Sequence, residues 1–130
     1  MAIQIGDQLP HFKAIQQDGN AFDTVLIQQK PVVIYFYPKD FTPGCTTQAC
    51  SFRDAYQDFQ DLGAEVIGIS GDSASSHQDF QKKHNLPFIL LSDSDRKLRK
   101  LFVVPTALFL LFPGRVTYVF DASGKCIYIF

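Results

Sequence analysis

Residues 32–36 (VVIYF) are apolar without a break and rich in β-branched and aromatic side chains, the pattern of a strand covered on both faces. The run ends at Pro38. Thr42 and Pro43 then read as a helix start, with a hydroxyl at the cap and proline at the first helical position. Phe52, Tyr56 and Phe59 recur at helical spacing until Gly63, which reads as the stop. Glu65–Ser70 (EVIGIS) reads as the next strand, residues 75–84 as a polar-faced helix ended by Asn85 and Pro87, and residues 88–91 as a short strand. Residues 94–102 read as a basic helix with Leu98 and Leu101 facing in, and residues 116–120, 121–124 and 126–130 as strand, turn and strand of a β-hairpin. The order βαβαβαββ predicts an α/β layer architecture in one domain spanning residues 1–130.

Composition narrows the function classes. Hydrophobic residues make up 46% of the 130, enough for a core, and with 13 Phe and no Trp the aromatic packing rests on Phe and Tyr. A formal net charge of −1 without long runs of like charge argues against a nucleic-acid partner, which calls for a basic face. The longest apolar stretch, residues 107–112, falls far short of the ~20 needed to span a bilayer. The first residues, MAIQIGDQLP, lack the charged region and apolar core of a signal peptide. The expectation is a soluble cytoplasmic protein. Three cysteines, Cys45, Cys50 and Cys126, do not make a structural disulfide framework, so each is a core residue, a metal ligand or a reactive thiol.

The chemistry concentrates in residues 35–54, YFYPKDFTPGCTTQACSFRD. A buried strand delivers the chain to a loop, and a helix begins within a residue or two of Cys45. A thiol in the first helical turn meets unpaired backbone N–H groups and the positive end of the helix dipole, which favour thiolate, the nucleophilic form. Thr42, three residues earlier, offers a hydroxyl to the sulfur and to a bound oxygen, as well as a helix cap. Lys39 adds positive charge at longer range, Pro43 stiffens the turn, and Pro38 is placed to shield the sulfur from water. Cleaving an O–O bond needs such a nucleophile and a set of donors for the oxygen that leaves with growing negative charge. Arginine, always charged and carrying several donors, completes the set, and Arg115, after a Pro113–Gly114 turn and before a buried strand, is the candidate.

The run Tyr37-Pro38-Lys39-Asp40-Phe41-Thr42-Pro43-Gly44-Cys45-Thr46-Thr47-Gln48-Ala49-Cys50, continuing to Phe52-Arg53-Asp54, strongly resembles peroxiredoxins of the Q type, also called bacterioferritin comigratory proteins. The likeness extends to VIGISGD at 66–72, HNLPFILLS at 84–92 and PGRVTYVF at 113–120, and covers nearly the whole chain from Gly6 onward. The Pro-x-x-x-Thr-x-x-Cys core, Pro38 to Cys45, is its most specific part, and Arg115 matches the family's strand arginine. The resemblance implies a thioredoxin-like fold with a central mixed sheet flanked by helices. It implies a peroxidatic Cys45, a resolving Cys50 that forms an intramolecular disulfide with it, and no metal or organic cofactor. Hydrogen peroxide or an organic hydroperoxide would be the substrate, thioredoxin or a similar dithiol the reductant, and a plant-type protein would sit in the chloroplast stroma. Two features depart from the family. Gln48 stands where Glu is common, and the sequence stops at Phe130 where the family continues into a C-terminal helix. A sheet face left open predicts low stability or self-association, within a range from monomer to weak dimer.

Other readings remain open at this point. Cys50 reads also as a small core residue on the helix, and Cys126 as core or edge filler. Arg115 reads also as a surface strand residue. A Cys45/Cys50 metal site lacks a second Cys/His pair, and a thioredoxin-type reductase would carry Cys-x-x-Cys. A thiol redox sensor or switch is the alternative function. His77 and His84, seven residues apart, read as one solvated helix face, as do Lys97, Arg99 and Lys100 on theirs.

Overall fold

The computed structural model describes residues 2–104, 106–107, 112–113 and 115–130. Its strands are β1 (Lys13–Gln16), β2 (Ala21–Asp23), β3 (Val32–Phe36), β4 (Glu65–Ser70), β5 (Ile89–Ser92), β6 (Thr106–Ala107), β7 (Phe112–Pro113), β8 (Val116–Phe120) and β9 (Cys126–Ile129). Its helices are α1 (Pro43–Asp54), α2 (Tyr56–Asp61), α3 (Ala74–His84) and α4 (Lys97–Phe102). Among the described residues, seven strands form one sheet in the order β2-β1-β5-β4-β3-β8-β9. β3, β4 and β5 run parallel, and β1 and β8 join antiparallel on either side of them.

β3 is buried at all five positions, as its unbroken apolar run requires. Its alternate side chains divide two cores. Val32, Ile34 and Phe36 join Ile67, Ile69, Leu98, Phe102 and Phe120 on one face, where α4 packs. Val33, Tyr35 and, just past the strand, Tyr37 join Val66, Phe80, Leu90, Cys45 and Ala49 on the other, under α1 and α3. Each fully buried aliphatic or Phe side chain contributes about 1.5–3 kcal/mol, so these layers fix where β3 ends and the loop after it begins.

Gly68 shows how tightly the second core is filled. It lies in register between Tyr35 and Leu90. A Cβ built there would stand 2.8 Å from the Tyr35 ring and 2.9 Å from a Leu90 methyl. Both neighbours are buried, so neither has room to withdraw. Gly68→Ala is expected to destabilise the protein by about 1–3 kcal/mol, measured as a lower midpoint of urea unfolding with unchanged slope. An unchanged midpoint would mean that the Tyr35 ring moves freely.

The structure departs from the sequence reading at several points. The hairpin β1–β2 was not anticipated: Gly19, at φ +85°, turns the chain, and its N–H donates to the Gln16 carbonyl at 2.9 Å. The helix expected to run unbroken to Gly63 is interrupted at Ala55 (φ −95°, ψ 2°), giving α1 and α2. α4 begins at Lys97, not at residue 94, because Asp93 is buried and accepts the Leu98 and Arg99 N–H groups at 2.8 and 3.0 Å. That rotates the helix so that Leu98 and Phe102 face in while Leu101 is 43% exposed. Arg99, expected in solvent, is buried over the Phe36 ring and donates to the Tyr37 carbonyl.

Candidate active site

The site is built where the chain leaves β3. Pro43 opens α1, and Thr42 occupies the cap position with extended backbone, its carbonyl accepting the Thr46 N–H at 2.8 Å. The Thr42 side chain makes no cap bond. Its hydroxyl donates to the Lys39 carbonyl at 2.9 Å, which folds the loop back on itself. The expected cap role is therefore filled by position and not by the side chain. With its proton committed to Lys39, the hydroxyl oxygen is left as an acceptor. Pro38 is half-buried in the same loop and Lys39 is exposed.

Cys45 lies in the first turn of α1, 2% exposed, with its sulfur in the core beneath the helix. Arg115 reaches it from the residue before β8: Nη2 donates to Cys45 Sγ at 3.2 Å. Nη1 donates to the Gln48 side-chain carbonyl, one helical turn beyond Cys45. Register brings these distant residues together, because Val116 pairs with Phe36 and sets Arg115 against the chain as it leaves the sheet. Gly44 leaves room for the guanidinium, since a Cβ there would stand 3.3 Å from Nη2. Pro113 belongs to the short pair β6–β7, and the turn expected at Pro113–Gly114 includes Gly114, which lies outside the described residues. Gln48, noticed in the sequence only as a departure, is the residue that holds the arginine.

A buried polar brace lies behind the loop. Tyr37 donates to Asp40 at 2.6 Å, Ser76 donates to it at 2.8 Å, and His77 Nδ1 lies 2.7 Å from the same carboxylate. His77 Nε2 faces the Leu91 carbonyl at 3.0 Å; since a carbonyl only accepts, that nitrogen carries a proton. The Asp40 N–H and the Ser70 hydroxyl both donate to Asp72. His77 is fully buried, not on the solvated face expected for it. The available signal was Phe80, three residues on, the one large apolar side chain of α3, which marks the inward face that His77 shares. The ligand atoms of Asp40, Asp72 and His77 lie within 4.8 Å of one another, as a metal site would require. Their acceptors are already engaged by the protein's own donors, so the geometry is that of a brace holding the loop.

Tyr35 lies under α1, stacked on Phe52 with ring centroids 4.7 Å apart. Burial pushes its phenol far above the ordinary range. Cys50 is half-buried on another side of α1, its sulfur 3.9 Å from His84 Nδ1 at the end of α3. All three cysteines are free thiols, and α1 is continuous across both Cys45 and Cys50. Cys126, fully buried at the start of β9, faces the opposite core, and burial raises its thiol above the usual range.

Comparison with known proteins places this arrangement. The AhpC/TSA family matches residues 5–129. The chloroplastic peroxiredoxin Q of Oryza sativa subsp. japonica is 54% identical over 125 residues, which is 96% of this chain and 58% of the relative. The chain thus spans somewhat more than half the length of such plant relatives. The crystal structure of peroxidoxin BcpB from Mycobacterium tuberculosis superposes with a TM-score of 0.89 at 32% identity, covering 98% of this chain and 85% of that one. A cysteine-to-serine mutant of Xylella fastidiosa PrxQ gives 0.92 at 29% identity, over 100% and 86%. The fold is accordingly thioredoxin-like, and the chain belongs to the AhpC/TSA family as a peroxiredoxin of the Q type, the bacterioferritin comigratory proteins.

Proposed function

We propose that the chain, working as one domain over residues 1–130, is a thiol peroxidase that reduces hydrogen peroxide and organic hydroperoxides through Cys45. The observation that carries this is the Arg115 guanidinium 3.2 Å from a buried thiol at a helix start. A peroxide enters over the loop. The Thr42 oxygen accepts the peroxide hydroxyl's hydrogen bond, and Arg115 faces both the sulfur and the oxygen that departs. Cys45 thiolate attacks the nearer oxygen, the O–O bond breaks, and the leaving oxygen takes a proton to become water or an alcohol, leaving Cys45 as sulfenic acid. Half-buried Pro38 limits water beside the sulfur.

Cys50 then attacks the Cys45 sulfur and forms an intramolecular disulfide. On the helix these residues are five apart, about 500° of rotation and about 7.5 Å of rise, which puts their Cα atoms roughly 8–9 Å apart. A disulfide tolerates at most about 7 Å. The first turn of α1 must therefore unwind. Gly44 and the β-branched Thr46 and Thr47 give it low helix propensity, and unwinding brings the disulfide to the surface, where thioredoxin or a similar dithiol reduces it by exchange. The chloroplastic location of the plant relatives supports the plastid stroma as the place of action, the cytoplasm being the alternative. Among the described residues, no helix is long and apolar enough to cross a membrane.

The test is mass spectrometry after one equivalent of peroxide. The unaltered chain is expected to lose two hydrogens as the Cys45–Cys50 bond forms, with faster amide exchange across residues 45–53. Cys50→Ser is expected to gain one oxygen, trapped on Cys45. Oxidation confined to Cys126, or none, would overturn the reading.

A further inference from the structure

Five residues beyond Cys45, the Cys50 side chain has turned about 140° round α1 and points toward the end of α3. The last residue of that helix, His84, sets Nδ1 3.9 Å from the Cys50 sulfur. The contact is fixed from two directions. Arg53, three residues past Cys50 on the same face of α1, donates Nη1 to the His84 backbone carbonyl at 2.8 Å. The His84 ring stands edge-on against Phe80, with centroids 5.2 Å apart at 72°. The second thiol of α1 thus has an imidazole nitrogen in contact and a guanidinium one turn further along the same helix face, a setting that neither core packing nor helix formation requires.

We propose that His84 is the general base for the resolving step, and this rests on Cys50 being the resolving thiol as read above. In that step His84 Nδ1 takes the Cys50 thiol proton. The Cys50 thiolate attacks the sulfenic sulfur of Cys45, the S–S bond forms and the S–O bond breaks. The departing hydroxide takes the proton back from His84 as water. Cys50 is oxidised and Cys45 is reduced to the disulfide level, with the peroxide already consumed as the only oxidant. The order of motion follows from what is anchored. α3 is held through buried His77, bonded to Asp40 and to the Leu91 carbonyl. Arg53 pins the second half of α1 to the end of α3. Among the described residues, the start of α1 is held only through side chains, by Arg115 on the Cys45 sulfur and on Gln48, with no bond to a backbone carbonyl like that of Arg53, so Cys45 travels to Cys50 while Cys50 stays against its base.

The experiment follows both halves of a single turnover by rapid quench and mass spectrometry, with hydrogen peroxide as oxidant, in the unaltered chain and in His84→Gln and His84→Asn. Both variants keep the backbone carbonyl that Arg53 uses. Sulfenic acid should appear on Cys45 at the unaltered rate, which also reports an intact site. Disulfide formation should slow by about 10²-fold or more, the usual worth of a positioned general base. Added imidazole should restore part of that rate, and excess peroxide should drive the long-lived sulfenic acid on to sulfinic acid. An unchanged disulfide rate in both variants overturns the proposal while leaving Cys50 as resolving thiol. A slower step that imidazole fails to rescue makes His84 a packing residue and also overturns it. Failure of the Cys45–Cys50 bond to form in the unaltered chain overturns this proposal and the reading beneath it together.

Discussion

Cys45→Ser is expected to abolish peroxide consumption, while Cys126→Ser leaves it nearly intact. The two thiols differ in surroundings more than in burial. Cys45 stands in the first turn of α1 with a guanidinium on its sulfur. Cys126 stands at the start of β9 in an apolar cluster, where its nearest polar partner is the Tyr128 carbonyl at 3.7 Å. Burial works against its thiolate, and the thiolate is the reactive form. A serine hydroxyl at position 45 keeps the shape and the Arg115 contact but not the nucleophile, because an alcohol is scarcely ionised at neutral pH and lacks sulfur's affinity for peroxide oxygen. At position 126 the hydroxyl costs stability, about 1–3 kcal/mol if it finds no good partner, without touching the reaction. Peroxide consumption by both variants, with folding checked by circular dichroism, decides the matter. Full activity in Cys45→Ser would sink the assignment, and a dead Cys126→Ser would move the chemistry to the other core.

What the sequence shows and what it hides divides along physical lines. β3 and β4 were legible because strands buried on both faces write themselves as unbroken apolar runs. The start of α1 was legible because Thr-Pro is a local signal. β1 is hidden in the sequence because it lies toward the sheet's edge, its side chains alternating between exposed and half-buried, so little apolar pattern marks it. Only the Asp18-Gly19 turn announced the hairpin. The break at Ala55 has no helix-breaking residue to mark it, and the spacing of Phe52, Tyr56 and Phe59 runs straight across it onto the same core.

The site divides the same way. Cys45 was visible from its own neighbourhood, but its partners are matters of tertiary register. Arg115 lies 70 residues away and became a candidate through the chemistry that a leaving oxygen needs. His77 and Arg99 are polar side chains, and polarity in the sequence reads as exposure. Each is buried with polar partners behind the loop that carries Thr42, His77 through Asp40 and Arg99 through the Tyr37 carbonyl. Phe80 marks the face of α3 that His77 shares, but the groups that satisfy His77 and Arg99 lie 37 and 62 positions off in the chain, where no local pattern points to them.

Arg115→Ala is expected to slow Cys45 oxidation by about 10²–10³-fold, the usual cost of removing one donor from a site where charge develops. The argument rests on the two arms of the guanidinium. Nη2 is on the sulfur and Nη1 is on the Gln48 carbonyl, so the group is fixed in orientation before any substrate arrives. A preset donor needs no reorganisation when negative charge grows on the departing oxygen. Arg115→Lys should fail to restore the rate. An ammonium is a point charge on a flexible stem, and it does not reproduce a planar fork whose two nitrogens hold the sulfur and Gln48 at once. The fold should survive both changes, because Arg115 is exposed and precedes β8 without belonging to either core. Stopped-flow measurement of the first oxidation step separates the outcomes. A large loss in Arg115→Ala with little recovery in Arg115→Lys supports the forked donor. Full recovery by lysine would mean that charge alone suffices, and rates equal to the unaltered chain in Arg115→Ala would remove Arg115 from the site.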